Sequence, residues 1–234
     1  MSKNNKSILV IGDLHAPVYH AETVDFLEAV KKVIKPTRTV LTGDEVNWES
    51  ISYHEKNPDL PGARDELLES RIALKPIYEL FPKVDVLESN HGDLPFRKAM
   101  TLGLPSEIIR TRREILGAPR GWEWHLDLTI PTSNGPVYFT HGKSSAIDKL
   151  SKNMAMSCVQ GHFHSKFYVS YWANPNGLFF DCNAGSFADS KHPAMRYQVN
   201  SLNKGIMGVI VIENGLARPY PMLLNKKGKW VGKL

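Results

Sequence analysis

Five short clusters of potential metal ligands stand in order along this chain: Asp13-Leu14-His15, Gly43-Asp44-Glu45-Val46-Asn47, Asn90-His91, His141-Gly142 and Gly161-His162-Phe163-His164. Each follows an apolar run. Carboxylates combined with imidazoles suit a divalent transition metal better than calcium or magnesium alone. Asp13 and His15 are two residues apart and can converge on one ion from a strand end or the turn after it. The Asp44 carboxylate can bridge two cations roughly 3.5–4 Å apart, and Asn90 offers a neutral side-chain oxygen. Alternation around Phe163 predicts that His162 and His164 share one face while the phenylalanine turns to the core. With His141, the second half of the chain supplies three imidazoles, and the whole set outlines a two-metal hydrolytic site. His20, His54, His125 and His192 lack such settings and read as ordinary surface or core histidines.

The elements that must position these residues change character midway. Ser7 to Ile11 is a continuous apolar run, as expected of a strand buried on both faces. Glu22 to Ile34 has helical spacing, with Pro36 as a stop, and Thr37 to Thr42 is a second strand. Ala63 to Leu80 is helical with an expected break near Pro76, and Lys83 to Leu87 is a third strand. Alternating strands and helices predict an α/β fold with ligands gathered at the carboxyl ends of strands. After this, Trp122 to Ile130, Pro136 to Thr140, Lys166 to Ala173, Leu178 to Cys182, Ile206 to Ile212 and Leu216 to Leu223 read as strands, with turn signals at Asn134-Gly135, Pro175-Asn176-Gly177 and Asn214-Gly215. Only Ser144 to Met156 reads as a helix there. The expected architecture is two mixed β-sheets packed as a sandwich flanked by helices, in one domain spanning 1–234. Insertions at about 48–64 and 94–121 do not fit the sandwich and are the candidate lid or specificity elements.

Composition narrows the class. Hydrophobic residues make up 42% of 234, enough for a sizeable core, and two cysteines are too few for a disulfide framework. That favours a reducing compartment. Met1 to Lys6 is polar and basic, the apolar run after it is too short for a secretory segment, and the other apolar runs are strand-sized. A cytoplasmic protein with no membrane association is expected. The net charge of +5 favours an anionic substrate or partner, although Lys226, Lys227, Lys229 and Lys233 place part of it at the C-terminus.

The ordered clusters resemble the calcineurin-like metallophosphoesterase superfamily, whose pattern runs Asp-x-His, Gly-Asp-x-x-Asp/Asn, Gly-Asn-His-Asp/Glu, His, Gly-His-x-His. The resemblance runs from Asp13 to Asn183-Ala184-Gly185-Ser186, which is similar to the family's Asn-Pro-Gly-Ser turn. It implies one metal held by Asp13, His15, Asp44 and His164, and a second held by Asp44, Asn90, His141 and His162. It gives His91 the place of the catalytic histidine. Manganese is the expected metal, with iron, zinc or nickel accepted by the same donors. Three departures stand out: Ser89 for a glycine, Gly92 for an acid, and Asn47 where some branches carry an aspartate paired to the histidine. Asp93, one residue on, is the candidate to take the acid's role. The Asp-Arg-Gly of serine/threonine phosphatases is missing after Asp44.

The expected activity is therefore dinuclear, metal-dependent phosphoester hydrolysis, with a phosphodiester of nucleic acid or a nucleotide as the leading substrate. Arg97, Arg110, Arg112 and Arg113 in the second insertion, with Asn47, are the candidate substrate contacts, joined by Lys98 and Arg120; Trp122 and Trp124 are candidates to stack on bases. The alternatives are a phosphomonoesterase acting on a small metabolite or phosphoprotein, and a binding protein of the same fold without turnover.

Overall fold

The computed structural model describes residues 7–198 and 201–234, so the polar, basic Met1 to Lys6 lies outside the described residues. Eleven strands form two sheets. The first takes β1 (Ser7–Ile11), β2 (Arg38–Leu41), β3 (Lys83–Leu87), β4 (Gly121–His125), β10 (Gly208–Glu213) and β11 (Leu216–Pro221), in the order β11-β10-β1-β2-β3-β4. The second takes β5 (Leu128–Thr132), β6 (Gly135–Thr140), β7 (Ser157–Gln160), β8 (Phe167–Asn174) and β9 (Gly177–Ala184), in the order β5-β6-β7-β9-β8. Both are mixed: β1 to β4 run parallel, as do β6, β7 and β9, and the remaining pairings are antiparallel.

Strand alternation divides the core. On β1, Ile8 and Val10 face the second sheet and pack with Val137, Phe139, Val159 and Phe180. Leu9 and Ile11 face the other way, toward Phe26, Leu27 and Val30 of α1 (Thr23–Ile34), Leu74 and Ile77 of α2 (Ala63–Leu80), and Leu116 of α4 (Arg112–Leu116). A strand covered on both faces has to be apolar throughout, which is why Ser7 to Ile11 shows no period of two. On the outer face of the second sheet, Tyr138 and Cys158 pack on Leu150 of α5 (Lys149–Met154). The expected sandwich flanked by helices is what the chain forms.

Several elements differ from the sequence expectation. Trp122 to Ile130 is two strands, β4 and β5, and they belong to different sheets: the chain turns at Leu126-Asp127 and crosses the sandwich. The helix expected over Ser144 to Met156 is confined to α5. β7 gave no sequence signal, because only Cys158 and Val159 are apolar in it and both its ends are polar. Pro76 does not break α2, which continues to Leu80. The carbonyl that Pro76 leaves unbonded belongs to Ile72, which is 73% exposed, so water can satisfy it. The two insertions do fold. Residues 48–64 hold a 3-10 turn at Glu49–Ile51; residues 94–121 hold α3 (Leu94–Thr101), a 3-10 turn at Ser106–Ile108 and α4.

Candidate metal centre

Asp13, Asp44, Asn90, His141 and His162 each lie within three residues of the carboxyl end of a parallel strand, respectively β1, β2, β3, β6 and β7. Tight loops then turn the side chains inward. His15, Asp44 and His162 all have left-handed backbones, with φ of 56°, 45° and 67°, a conformation that non-glycine residues hold only when their surroundings enforce it. The enforcing bonds are visible. His15 N donates to the Asp44 carbonyl at 2.7 Å, and Ala16 N to the Glu45 carbonyl at 3.0 Å. The backbone of His162 is therefore part of a turn, not of an extended segment. Phe163 lies half-buried against the His162 ring at 5.0 Å instead of entering the core.

The side chains converge into two groups that share one residue. Asp13, His15, Asp44 and His164 form the first, and Asp44, His141 and His162 the second; within each group the ligand atoms lie within 4.8 Å of one another. Asp44 Oδ2 is 3.5 Å from His15 Nε2 and 3.4 Å from His141 Nε2, so a single oxygen faces both groups. Asn90 Oδ1 joins the second group, 2.7 Å from His141 Nε2 and 3.0 Å from His162 Nδ1. Donors about 2.1 Å from a metal stand roughly 3.0 Å apart in an octahedron and 3.4 Å in a tetrahedron. The closest donor pairs, 2.7 to 3.5 Å apart, are at the spacing of coordination edges, so the donor set fits two divalent ions.

Neighbouring groups fix the ligands, and here residues appear that motif reading missed. Thr42 Oγ1 donates to Asp13 Oδ1 at 2.8 Å, while the backbone N–H of His162 donates to Asp13 Oδ2 at 2.7 Å. Ser89 Oγ accepts from Asp44 N at 2.8 Å and from Gly92 N at 3.1 Å, giving this serine a purpose at a position where the family pattern has glycine. His141 Nδ1–H donates to the Thr42 carbonyl at 2.8 Å, which turns Nε2 toward Asp44 and Asn90. His15 Nδ1 is held by Asn47 Oδ1 at 3.1 Å, which turns its Nε2 toward Asp44. Asn183 Nδ2 donates to the Gly161 carbonyl at 2.8 Å and Ser186 Oγ to the Asp13 carbonyl at 3.2 Å, so the end of β9 and the turn after it brace both ends of the series. Gly161 has no room for a side chain, because a Cβ there would strike the Asp13 carboxylate and Thr42.

Burial and charge act in opposite directions across the site. Burial, helped by neighbouring His164, pushes His15 well below the usual histidine range. Burial also opposes charge on Asp44 and His141, but each overcomes it by pairing. The histidines around Asp44 hold its carboxyl well below the usual range, and the Asp44 and Asp13 carboxylates push His141 up to about 10. Glu45, fully buried, is pushed up to about 7 by desolvation, with Trp124 Nε1 donating to its Oε1 at 3.1 Å.

His91 sits at the mouth of this arrangement. Its backbone N–H donates to Asp44 Oδ1 at 3.1 Å, and its Nδ1–H donates to the Asn47 carbonyl, which leaves Nε2 for the cavity. The cavity, about 460 Å³, is lined by Asp44, Asn90, His91, His162, His164, Ser165, Ser201, Asn203 and Gly205. A larger groove of about 620 Å³, beside Ile8, Arg38 and Ile130, lies at the opposite end of β1 and meets none of these ligands.

None of the five expected substrate contacts lines the cavity. Asn47 is buried and spends its side chain on His15. Arg97 is exposed and lies over the Tyr53 ring at 5.1 Å. Arg110 is exposed. Arg112 is paired with Glu88 and Asp93, and Arg113 Nη2 donates to the Trp122 carbonyl at 3.0 Å. Trp122 is buried in the core, its indole donating to the Phe81 carbonyl at 2.8 Å, so it offers no face to a base. Trp124, half-buried, is committed to Glu45. Asp93 is drawn toward Arg112. The carboxylate beside position 92 is instead Glu45, whose oxygens are 3.3 and 3.4 Å from where a Gly92 side chain would begin.

No family model and no curated protein matches the sequence. Among solved structures, the chain is similar to Yfce, a phosphoesterase from E. coli, at 13% identity over 96% of each chain with a TM-score of 0.49. It is similar to Vps29 of Chaetomium thermophilum at 12% identity, over 96% of this chain and 93% of that one, with a TM-score of 0.46. A conserved uncharacterized protein of Streptococcus pneumoniae, described as a predicted phosphoesterase, matches at 14% identity over 93% and 98%, with a TM-score of 0.37. In the order of its motifs and in its two-sheet architecture, the chain resembles the calcineurin-like metallophosphoesterases.

Proposed function

We propose that this chain is a metal-dependent phosphoester hydrolase acting on phosphodiesters. The observation that carries the reading is the single Asp44 oxygen facing two donor groups, which is the arrangement a two-cation site requires. Bound there, divalent cations would supply Lewis-acid activation of water and neutralise charge on the phosphoryl oxygens. Asp13, His15, Asp44 and His164 would hold one, and Asp44, Asn90, His141 and His162 the other.

The chain's own residues account for the rest. His91, oriented through Nδ1, presents Nε2 to the cavity, where it can give a proton to the leaving oxygen. Ser165, Ser201 and Asn203 provide a neutral polar wall for the non-reacting part of the substrate. No lysine or arginine is among the described residues lining the cavity. Among the described lining residues a phosphomonoester dianion would find no cationic side chain for its second charge, whereas a diester carries only one. Charge count therefore favours the diester over the monoester.

The test is hydrolysis of a generic aryl phosphodiester against its monoester by manganese-reconstituted protein. A higher kcat/KM on the diester is expected; preference for the monoester would overturn the diester reading, and hydrolysis of neither would overturn the enzyme reading.

A further inference from the structure

The segment that carries Asn90 and His91 begins at Glu88 and ends at Asp93, and one arginine grips both ends. Arg112 Nη1 is 3.1 Å from Glu88 Oε1, and Arg112 Nη2 is paired with Asp93 Oδ1. Its guanidinium lies over the Phe96 ring at 4.7 Å. The three charged side chains are 21%, 28% and 32% exposed, so these pairs are shielded more than surface ion pairs are.

The base of this grip is rigid. Arg112 opens α4, whose start is fixed by a capping box in which Thr111 Oγ1 accepts from Glu114 N and Glu114 accepts from Thr111 N. Arg71 Nε donates to the Ile115 carbonyl at 2.8 Å, and Leu116 is buried in the core. Arg112 Nε and Glu45 Oε2 are buried without a protein partner and line one small cavity with Gly92, so the Asp44 loop abuts the same grip.

We propose that Arg112 is a positioning residue: it clamps the two ends of the 88–93 segment and so sets where Asn90 and His91 sit. The clamp uses two nitrogens of one planar fork on two separate carboxylates. A lysine, whose three donors share one nitrogen on a flexible stem, does not reproduce two separate nitrogens held in a fixed plane. The inference rests on the roles given above to Asn90 and His91, and it replaces substrate contact as the task of this arginine.

The experiment uses Arg112→Met, which keeps much of the side-chain volume, and Arg112→Lys, which keeps the charge. Manganese binding to the stripped proteins is measured by calorimetry, and aryl-diester hydrolysis at saturating manganese. Both variants should lose about 10–100-fold in manganese affinity or kcat, as residues that orient ligands typically do. KM should stay within about twofold, because no atom of Arg112 reaches the cavity. In a His91→Ala background, the kcat effect of Arg112→Met should shrink to within about threefold, because the group it places is gone. Parental manganese affinity and kcat in Arg112→Met, or full function in Arg112→Lys, would overturn the clamp. Arg112→Met with a lowered melting temperature but parental affinity and kcat would also overturn it, leaving only a fold-stabilising role. If the parent binds manganese but hydrolyses no ester, the reading under Proposed function fails while the affinity measurement still decides the clamp through Asn90.

Discussion

His15 Nε2 and His164 Nε2 face each other at 2.9 Å, although the two residues are 149 positions apart and follow strands of different sheets. At that separation only one of the two nitrogens can carry a proton. Burial and the neighbouring imidazole hold His15 below the usual histidine range, which favours its neutral, lone-pair form. Two imidazole nitrogens facing each other, with Asp13 Oδ2 3.5 Å from His164 Nε2, bring three potential cation donors together.

Stripping the protein with a chelator and restoring manganese should therefore change its stability. A ligand present at about 100 times its Kd stabilises by about 2.7 kcal/mol, which in a domain of this size is a rise in melting temperature of about 5–10 °C. Differential scanning fluorimetry reads the shift directly. His164→Ala should reduce it, and superimposable melting curves with and without metal would rule out a stably held cation.

His91 touches the site through its backbone and presents its ring nitrogen to the cavity, so its loss should affect turnover and not loading. His91→Ala is expected to lower kcat on an aryl diester by about 10²–10⁴-fold with unchanged metal content by elemental analysis. Loss of metal together with activity would make His91 a ligand.

Trp122 separates the core from the substrate surface as explanations. It is 1% exposed, its ring meets Tyr78 edge-on at 4.8 Å, and its indole N–H is satisfied inside the protein. Trp122→Ala should cost about 3–5 kcal/mol in urea unfolding and leave KM for an oligonucleotide or aryl diester unchanged in the fraction that folds. A raised KM at parental stability would return Trp122 to the substrate surface.

The thiols give a pH-dependent test. Burial first, then the Asp181 carboxylate, pushes Cys158 up to about 12, and the same causes hold Cys182 well above the usual range. Raising the pH from about 7 to 9 passes the ordinary thiol pKa of about 8.5 without generating a thiolate at either residue. Ellman's reagent should leave the native protein unmodified across that range and titrate both cysteines once guanidinium unfolds it. Rapid labelling of the native protein at pH 9 would contradict this burial.

The candidate ligands are legible because most sit just after a strand, and a polar residue there stands out against the apolar run before it. Asp13, Asp44, Asn90 and His141 are all of this kind. What escaped depends on tertiary partners. The run from Trp122 to Ile130 is hydrophobic enough to pass for one strand, and only the two sheets reveal the crossing at Leu126-Asp127. Phe163 was expected in the core by alternation, but the left-handed His162 abolishes alternation at that point. Arg112 looked like a substrate contact because Glu88 and Asp93, 24 and 19 positions away, cannot be recognised as its partners from spacing. Thr42 and Ser89, which orient ligands by single hydroxyls, carry no signature beyond their nearness to Asp44 and Asn90.

The donors are divided between the layers of the sandwich: Asp13, His15, Asp44 and Asn90 follow strands of the six-stranded sheet, and His141, His162 and His164 follow strands of the five-stranded one. Neither layer holds a full coordination set. A centre filled with cations would be a rivet across a seam, and any splaying of the seam would draw His164 away from the first group and His141 and His162 away from the second. Retention of any bound cations and registration of the two sheets would then be one variable, so the lifetime of those ions would measure how often the sandwich breathes.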